Sequence, residues 1–159
     1  MDSEDVFIDP DADRYFEDYQ PGAQHQFGPI EVNEEEIVSF AKRYDPQSFH
    51  TDRTRAGESH FGGLIASGWH TAGLMMRLFA QHYLSEASSL GSPGIDELRW
   101  HLPVRPGDQL SIRVSVLEAR RSRSKPDRGV VKTLIEVLRQ DGQVVMTLKA
   151  INMFKTRDC

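Results

Sequence analysis

Apolar side chains recur at helical spacing in the first third of the chain. Residues 37–44 carry one apolar face, and they follow Asn33 and three glutamates, a pattern typical of a capped helix start whose carboxylates complement the helix dipole. Pro46 ends this predicted helix, because the residue before a proline avoids the helical region. Asp45 then lies at a helix C-terminus, where a carboxylate is unfavourable. A carboxylate at this unfavourable position indicates a functional role for Asp45.

The longest apolar run predicts one long, largely buried helix that begins at Ser67, its expected N-cap. Small residues follow on its early faces, so that a strand or a partner helix can approach closely. The run is long enough to raise a membrane-spanning interpretation, but it contains His70 and Arg77 and has no flanking basic anchors. A helix in a protein core therefore fits the pattern better.

Alternating apolar and polar residues dominate the second half of the chain and predict strands. A turn signal at residues 105–108 separates an apolar segment at 95–104 from an alternation at 110–116. A second alternation at 131–137 leads to Asp141-Gly142, a tight-hairpin signal, and to a returning strand. With a short strand from Gln24 to Ile30, these elements predict an α+β fold in which one antiparallel sheet wraps around the long helix.

Composition narrows the partners and the compartment. The 159 residues suffice for one domain, and the net charge of −5 gives no basic excess of the kind that binds nucleic acid. The single cysteine, Cys159, excludes a disulfide framework and a cysteine-based metal site. Because the N-terminus is acidic where a secretory signal would be basic and then apolar, we expect a cytoplasmic protein without a membrane partner.

The acidic N-terminal segment is predicted to be separate from the domain. Residues 1–13 lack an apolar period and are expected to be flexible or loosely attached. The single domain is therefore predicted to cover residues 14–157.

The motif that carries the chemistry combines an aspartate and a histidine. Asp45 and His50 stand five residues apart and precede a glycine-rich segment at 62–68, with Phe49 just before the histidine and Asp52 two residues after it. This motif and the order of elements resemble the MaoC-like acyl-CoA dehydratases, the (R)-specific enoyl-CoA hydratase branch of the hot-dog superfamily. The resemblance extends over residues 15–154 and implies the hot-dog fold.

The chain departs from the family pattern in two places. Many members carry Asp-x-Asn-Pro-x-His, whereas Pro46 and Gln47 occupy the middle positions here, so we predict a change in how Asp45 is held. Some hydratases also carry a serine two turns into the long helix, near Met75 and Met76 here, and this chain has none nearby. The second difference bears on substrate contacts more than on the type of reaction.

The resemblance implies reversible hydration of an enoyl-CoA, or dehydration of an (R)-3-hydroxyacyl-CoA, without a metal or redox cofactor; coenzyme A enters as part of the substrate. His50 is the implied base, since histidine suits base catalysis at neutral pH, and Asp45 is its acid/base partner. The implied oxyanion donor is the N–H of Gly68 at the start of the long helix. Ser67 and Trp69 are the adjoining candidate substrate contacts. Family members pair their sheets, so a homodimer or a higher homo-oligomer is also implied.

Two other functions stay open at the level of sequence. Thioester hydrolysis by hot-dog proteins generally needs a carboxylate on or beside the long helix, and residues 67–79 contain none. A non-catalytic acyl-CoA-binding protein is the second alternative; the presence of Asp45 and His50 argues against it, whereas Pro46 and Gln47 leave it open. Release of free coenzyme A would support the first alternative, and binding without turnover the second.

The remaining histidines and the basic residues carry weaker signals. Four histidines show no metal-ligand spacing, namely His60, His70, His82 and His101. Among them His70 is the candidate for lining the pocket. The one basic cluster consists of Arg121, Arg123, Lys125 and Arg128. It is predicted to be a solvated loop tip or, alternatively, a contact to the phosphates of coenzyme A, which the forked donors of arginine fit well.

Overall fold

The computed structural model describes residues 5–158, which form four helices and five strands together with two single turns of 3-10 helix at Asp5–Phe7 and Phe16–Asp18. The helices are α1 (Glu34–Tyr44), α2 (Ser48–Thr51), α3 (Arg53–Glu58) and α4 (Gly68–His82). The strands are β1 (Gln24–Glu31), β2 (Gly94–Trp100), β3 (Gln109–Arg121), β4 (Arg128–Leu138) and β5 (Val144–Lys155). The predicted helix boundaries at Asn33 and Pro46 are confirmed, and Asn33 accepts a hydrogen bond from the N–H of Glu36.

One antiparallel sheet in the order β1-β3-β4-β5-β2 wraps around α4. Buried and half-buried residues alternate along β3 and β4, because one face of these strands covers the helix. The core joins Leu74, Leu78 and Phe79 of α4 to Ile112 and Ile135 of the sheet. No helix within residues 5–158 is long and apolar enough to span a membrane.

Strand β2 is shorter than the sequence indicated, and the difference shapes the site. It ends at Trp100 instead of continuing to residue 104. Beyond it the N–H of His101 still donates to the carbonyl of Val145 over 2.8 Å, but Pro103 has no N–H with which to continue a ladder. The carbonyl of Val104 instead accepts a hydrogen bond from the N–H of Ala66 over 2.8 Å. The segment after β2 therefore leaves the sheet and packs against the start of α4.

The N-terminal segment differs from the sequence-based expectation over its described part. Residues 1–4 lie outside the described residues, but Val6 and Phe7 are buried in the core. Phe7 stacks on His25 with ring centroids 4.2 Å apart, and Arg14 donates to the carbonyl of Val6 over 2.7 Å. Although this segment is acidic in composition, the buried side chains of Val6, Phe7 and Arg14 attach it to the domain.

Candidate active site

His50 is held by the segment that precedes α4. It lies in the short helix α2 and is 4% exposed. Its Nδ1 is 2.7 Å from the carbonyl oxygen of Ile65, and the N–H of Ile65 donates to the carbonyl of Phe49 over 3.1 Å. Because a carbonyl oxygen only accepts hydrogen bonds, Nδ1 carries the proton at this contact. In the neutral ring Nε2 is then an acceptor with a free lone pair.

Asp45 directs its carboxylate towards that lone pair. It follows the last residue of α1. Its Oδ2 is 3.3 Å from Nε2 of His50 and accepts a 2.7 Å hydrogen bond from Oγ of Ser67. Its Oδ1 accepts a 2.7 Å hydrogen bond from Nε2 of Gln47. Gln47, one of the departures from the family pattern, therefore takes part in holding Asp45.

The charge state of Asp45 follows from these neighbours. Burial raises the pKa of the Asp45 carboxyl, but the hydrogen bonds from Gln47 and Ser67 and the nearby His50 ring outweigh it, so the pKa lies below its ordinary value. Asp45 is consequently ionised at neutral pH. When the His50 ring is in its neutral form, it and the ionised Asp45 present two acceptor atoms to the same space, an arrangement that fits a water molecule with one hydrogen directed to each acceptor.

A pocket of about 470 Å³ opens in front of this pair. Asp45 and His50 line it together with Gly68, the first residue of α4. Apolar and aromatic side chains form most of the remaining wall, namely Phe49, Phe61, Ile65, Trp69, Trp100, Leu102, Pro103 and Val104. An apolar pocket with a few convergent polar groups is the usual form of a small-molecule site.

Trp100 is a site residue that the sequence reasoning missed. Its indole N–H donates to the carbonyl of Gly68 over 3.0 Å, and its ring packs on the Cα of that glycine. A Cβ at position 68 would lie 2.4 Å from Cε2 of Trp100, so any side chain there would collide with the ring. The close approach of the Trp100 ring therefore requires glycine at position 68.

The other two predicted substrate contacts have different positions. Ser67 is fully buried and does not line the pocket; its hydroxyl is directed to Asp45, so the expected contact with substrate is corrected to a contact with the carboxylate. Trp69 lines the pocket but is 60% exposed, and its ring meets that of Trp100 edge to face at 5.2 Å. It is therefore a rim residue of this chain and not a core residue.

The remaining histidine candidate lies outside the pocket lining. His70 is buried, stacks on Phe40 with ring centroids 5.1 Å apart, and has Nε2 3.2 Å from Oε1 of Glu36. It contributes to the packing of α4 on α1. Within the described part of the chain, no group of three His, Cys, Asp or Glu side chains is arranged to hold a metal ion.

The basic cluster lies at the opposite end of the sheet from the pocket. Strand β3 runs for 13 residues from Gln109, just beyond the pocket-lining Val104, to Arg121 at the basic loop. At about 3.3 Å per residue, roughly 40 Å of strand separates the two ends. Along the path of β3, the basic cluster and the pocket therefore lie at opposite ends of the strand.

Comparisons with known proteins agree with this geometry. The family model described as MaoC like domain matches residues 18–138. The crystal structure of a MaoC-like dehydratase from Rhodospirillum rubrum is 37% identical, covers 92% of this chain and 99% of its own, and superposes with a TM-score of 0.84. The uncharacterized protein YdeM of Bacillus subtilis is 27% identical over 111 residues, which are 70% of this chain and 77% of YdeM.

A more distant likeness concerns the fold. The (R)-hydratase PhaJ1 of Pseudomonas aeruginosa is 23% identical, and the alignment covers 90% of this chain and 86% of PhaJ1 with a TM-score of 0.73. Together with the sheet order and the wrapped helix, this likeness confirms the predicted hot-dog fold.

Proposed function

Because this chain belongs to the MaoC-like domain family, we propose that it catalyses reversible hydration of an enoyl-CoA, or dehydration of a 3-hydroxyacyl-CoA of (R) configuration. The observation that carries the proposal is the pairing of two acceptor atoms at the pocket wall. Nε2 of His50 and Oδ2 of Asp45 are 3.3 Å apart, and both residues line the pocket. Such a pair binds and deprotonates water, which is what addition to an unsaturated thioester requires.

The proposed proton path uses the pair as one unit. In hydration, the water oxygen bonds to the β-carbon while one water proton passes to Nε2 of His50. The electron pair of the double bond moves towards the thioester oxygen and gives an enolate. The pair, which holds one extra proton at this stage, then returns a proton to the α-carbon. Dehydration is the reverse sequence, and no metal or redox cofactor takes part in this path.

Gly68 supplies the proposed stabilisation of the enolate. It is the first residue of α4 and lines the same pocket as the acid/base pair. The N–H groups of a first helical turn have no acceptor within the helix, and the helix dipole favours negative charge there. A thioester oxygen directed to this N–H would gain stabilisation as its charge develops, which is the interaction that lowers a barrier.

Loss of enoyl absorbance on a panel of trans-2-enoyl-CoAs tests the proposal. The panel covers short, long, branched and aromatic acyl groups, since an apolar wall can contact each of them. We expect turnover of at least one member and formation of the (R)-3-hydroxyacyl-CoA, identified by chiral chromatography. Release of free coenzyme A without a hydrated product would instead identify a thioesterase. Binding of the acyl-CoAs without either reaction would identify a binding protein, and both results would contradict the proposal.

A second copy of the chain is the proposed partner. Strand β2 forms one edge of the sheet, where Ile95 is 50% and Trp100 44% exposed. The adjoining face of α4 exposes Trp69, whose ring contacts Trp100, and Met76. Trp69 and Trp100 also line the pocket, while Ile95 and Met76 add exposed apolar surface on the same strand and helix. An open strand edge is a template for pairing. A homodimer joined through β2 would cover this surface and enclose the pocket.

Ile95→Lys tests the dimer, because it puts a charge on the edge that is expected to pair. We expect twice the chain mass for the wild-type protein by light scattering at micromolar concentration, and the mass of one chain for the variant. Leu117→Lys on β3 is the matched control, since Leu117 is also exposed but lies away from β2 and is expected to keep the dimer. A wild-type monomer, or equal masses for both variants, would contradict this interface.

A further inference from the structure

Ser67 joins two parts of the site that are distant in sequence. Its Oγ donates to Oδ2 of Asp45 over 2.7 Å and accepts from the N–H of Trp69 over 3.3 Å. A hydroxyl has one proton and two lone pairs. The N–H of Trp69 occupies a lone pair, so the single hydroxyl proton is free to go to Asp45. Ser67 is thus the N-cap of α4 and a donor to the carboxylate at the same time.

This link is rigid because Ser67 is fully buried. Its carbonyl oxygen also accepts the N–H groups of His70 and Thr71, both over 3.0 Å, so its backbone is fixed by the first turn of the helix. The N–H of Gly68 belongs to that same turn. The hydrogen bond from Ser67 therefore fixes the position of the Asp45 carboxylate relative to the start of α4.

We propose that Ser67 is a positioning residue that holds Asp45 as an oriented carboxylate at a fixed distance from the start of α4. This inference rests on the proposed function, in which Asp45 acts on water and Gly68 on the thioester oxygen. Both groups must meet one substrate, and a misplacement of about 1 Å between them costs on the order of a hundredfold in rate. The Ser67 hydroxyl maintains their relative position, although it contacts no substrate atom itself.

The two donors to Asp45 differ in how replaceable they are. Both hydrogen bonds measure 2.7 Å, but Gln47 is exposed whereas Ser67 is buried. If Gln47 is removed, water can donate to Oδ1 in its place. If the Ser67 hydroxyl is removed, the buried side of the carboxylate loses its donor without replacement, which is the costlier case. Ser67 is therefore expected to matter more than Gln47.

The hydrogen bond from Ser67 also affects the pKa of Asp45. His50 is the titratable group in contact with Asp45, and His101 lines the same pocket with its Nε2 2.8 Å from Oγ1 of Thr147. The donors on Asp45 are the neutral side chains of Gln47 and Ser67, which favour its ionised form. Loss of the Ser67 hydroxyl should raise the pKa of Asp45. The carboxyl signal of Asp45 should therefore titrate at a higher pH when that hydroxyl is absent.

Ser67→Ala is the test, with Ser67→Thr as the variant that keeps the hydroxyl. We expect Ser67→Ala to lower kcat by about tenfold with little change in KM, as loss of a hydrogen bond to a charged group implies. Ser67→Thr should restore most of the rate, and Gln47→Ala should lose less than Ser67→Ala.

Asn33→Ala is the matched control, because it also removes an N-cap, but at α1 and outside the pocket. It should cost similar stability and leave kcat close to the wild-type value. A second readout needs no turnover: the ¹³C signal of the Asp45 carboxyl, assigned by its absence in Asp45→Asn, should titrate at higher pH in Ser67→Ala than in the wild type. An unchanged Asp45 titration, with no more loss of activity than in Asn33→Ala, would overturn the inference. If the wild type hydrates no substrate, the proposed function is contradicted. The titration of the Asp45 carboxyl still tests whether Ser67 holds Asp45.

Discussion

Asp45→Asn and His50→Ala are each expected to lower kcat/KM for hydration of the best enoyl-CoA by at least about a hundredfold, as loss of a positioned acid/base group usually does. Asparagine keeps the shape of Asp45 but cannot accept a proton. Alanine at position 50 removes Nε2, the atom 3.3 Å from the carboxylate. Progress curves at saturating and limiting substrate would give kcat and KM separately, with the larger loss expected in kcat.

His101→Ala is the matched control for this pair of variants. His101 lines the same pocket, but its Nε2 is 2.8 Å from Oγ1 of Thr147, and no carboxylate within residues 5–158 forms an ion pair with it. It should therefore retain a rate within a few fold of wild type. His50→Ala also leaves the carbonyl of Ile65 without a donor, which costs about 1 kcal/mol, so a melting curve must accompany the kinetics. Wild-type rates in folded Asp45→Asn and His50→Ala would mean that the pair is structural.

A residual rate in these variants would also be informative. Neither substitution alters the start of α4, so the N–H of Gly68 would still act on the thioester oxygen. Rates in both variants should therefore remain above the rate without protein, because oxyanion stabilisation and proton transfer are separate contributions. A rate equal to the uncatalysed one would argue that Gly68 has no part in the reaction.

The elements of this fold were predictable because their signals are local. Asn33 caps α1 and Ser67 caps α4, and in both the cap and the N–H it accepts are within three residues in sequence. The tight turn at Asp141-Gly142 follows from a dipeptide, and Gly142 has the positive φ of 84° that such turns use. The pairing of His50 with Asp45 depended on the resemblance to a family, since spacing alone does not bring two side chains together.

The missed features of the site are contacts between distant segments. Ser67 reaches Asp45 across 22 residues, and Trp100 reaches the carbonyl of Gly68 across 32. No periodicity encodes such pairs, because the first depends on where the end of α1 meets the start of α4 in the folded chain, and the second on where the end of β2 meets it. The glycine at position 68 was a usable signal: it indicated a close approach, but it could not name Trp100 as the side chain that approaches.

Arg14 makes contacts between distant segments that were likewise not predictable from the sequence, and these contacts bear on stability. It stands at the end of an acidic segment, where a charged residue is expected on the surface, yet it is 2% exposed. Its guanidinium donates to the carbonyls of Val6 and Asp9 on one side, and to those of Tyr83 and Leu84, just after α4, on the other. A cation is favoured at the negative end of a helix dipole. Arg14 thus fastens the N-terminal segment to the end of the central helix.

Arg14→Met is therefore expected to lower the free energy of unfolding by about 3 kcal/mol, because four hydrogen bonds from a buried, charged donor are lost at once. The carbonyls of Tyr83 and Asp9 keep their hydrogen bonds from Tyr19 and Ala12. The free energy of unfolding of Arg14→Lys should lie between those of the wild type and Arg14→Met, since an ammonium group lacks the forked donors that reach both segments. Urea titrations give the free energies, and amide hydrogen exchange should show lost protection around Val6 and Phe7 in Arg14→Met. Arg43→Met, at an exposed arginine of α1, is the control and should change stability by less than about 0.5 kcal/mol. A loss as small as the control's would mean that the apolar contacts of Val6 and Phe7 alone hold the segment.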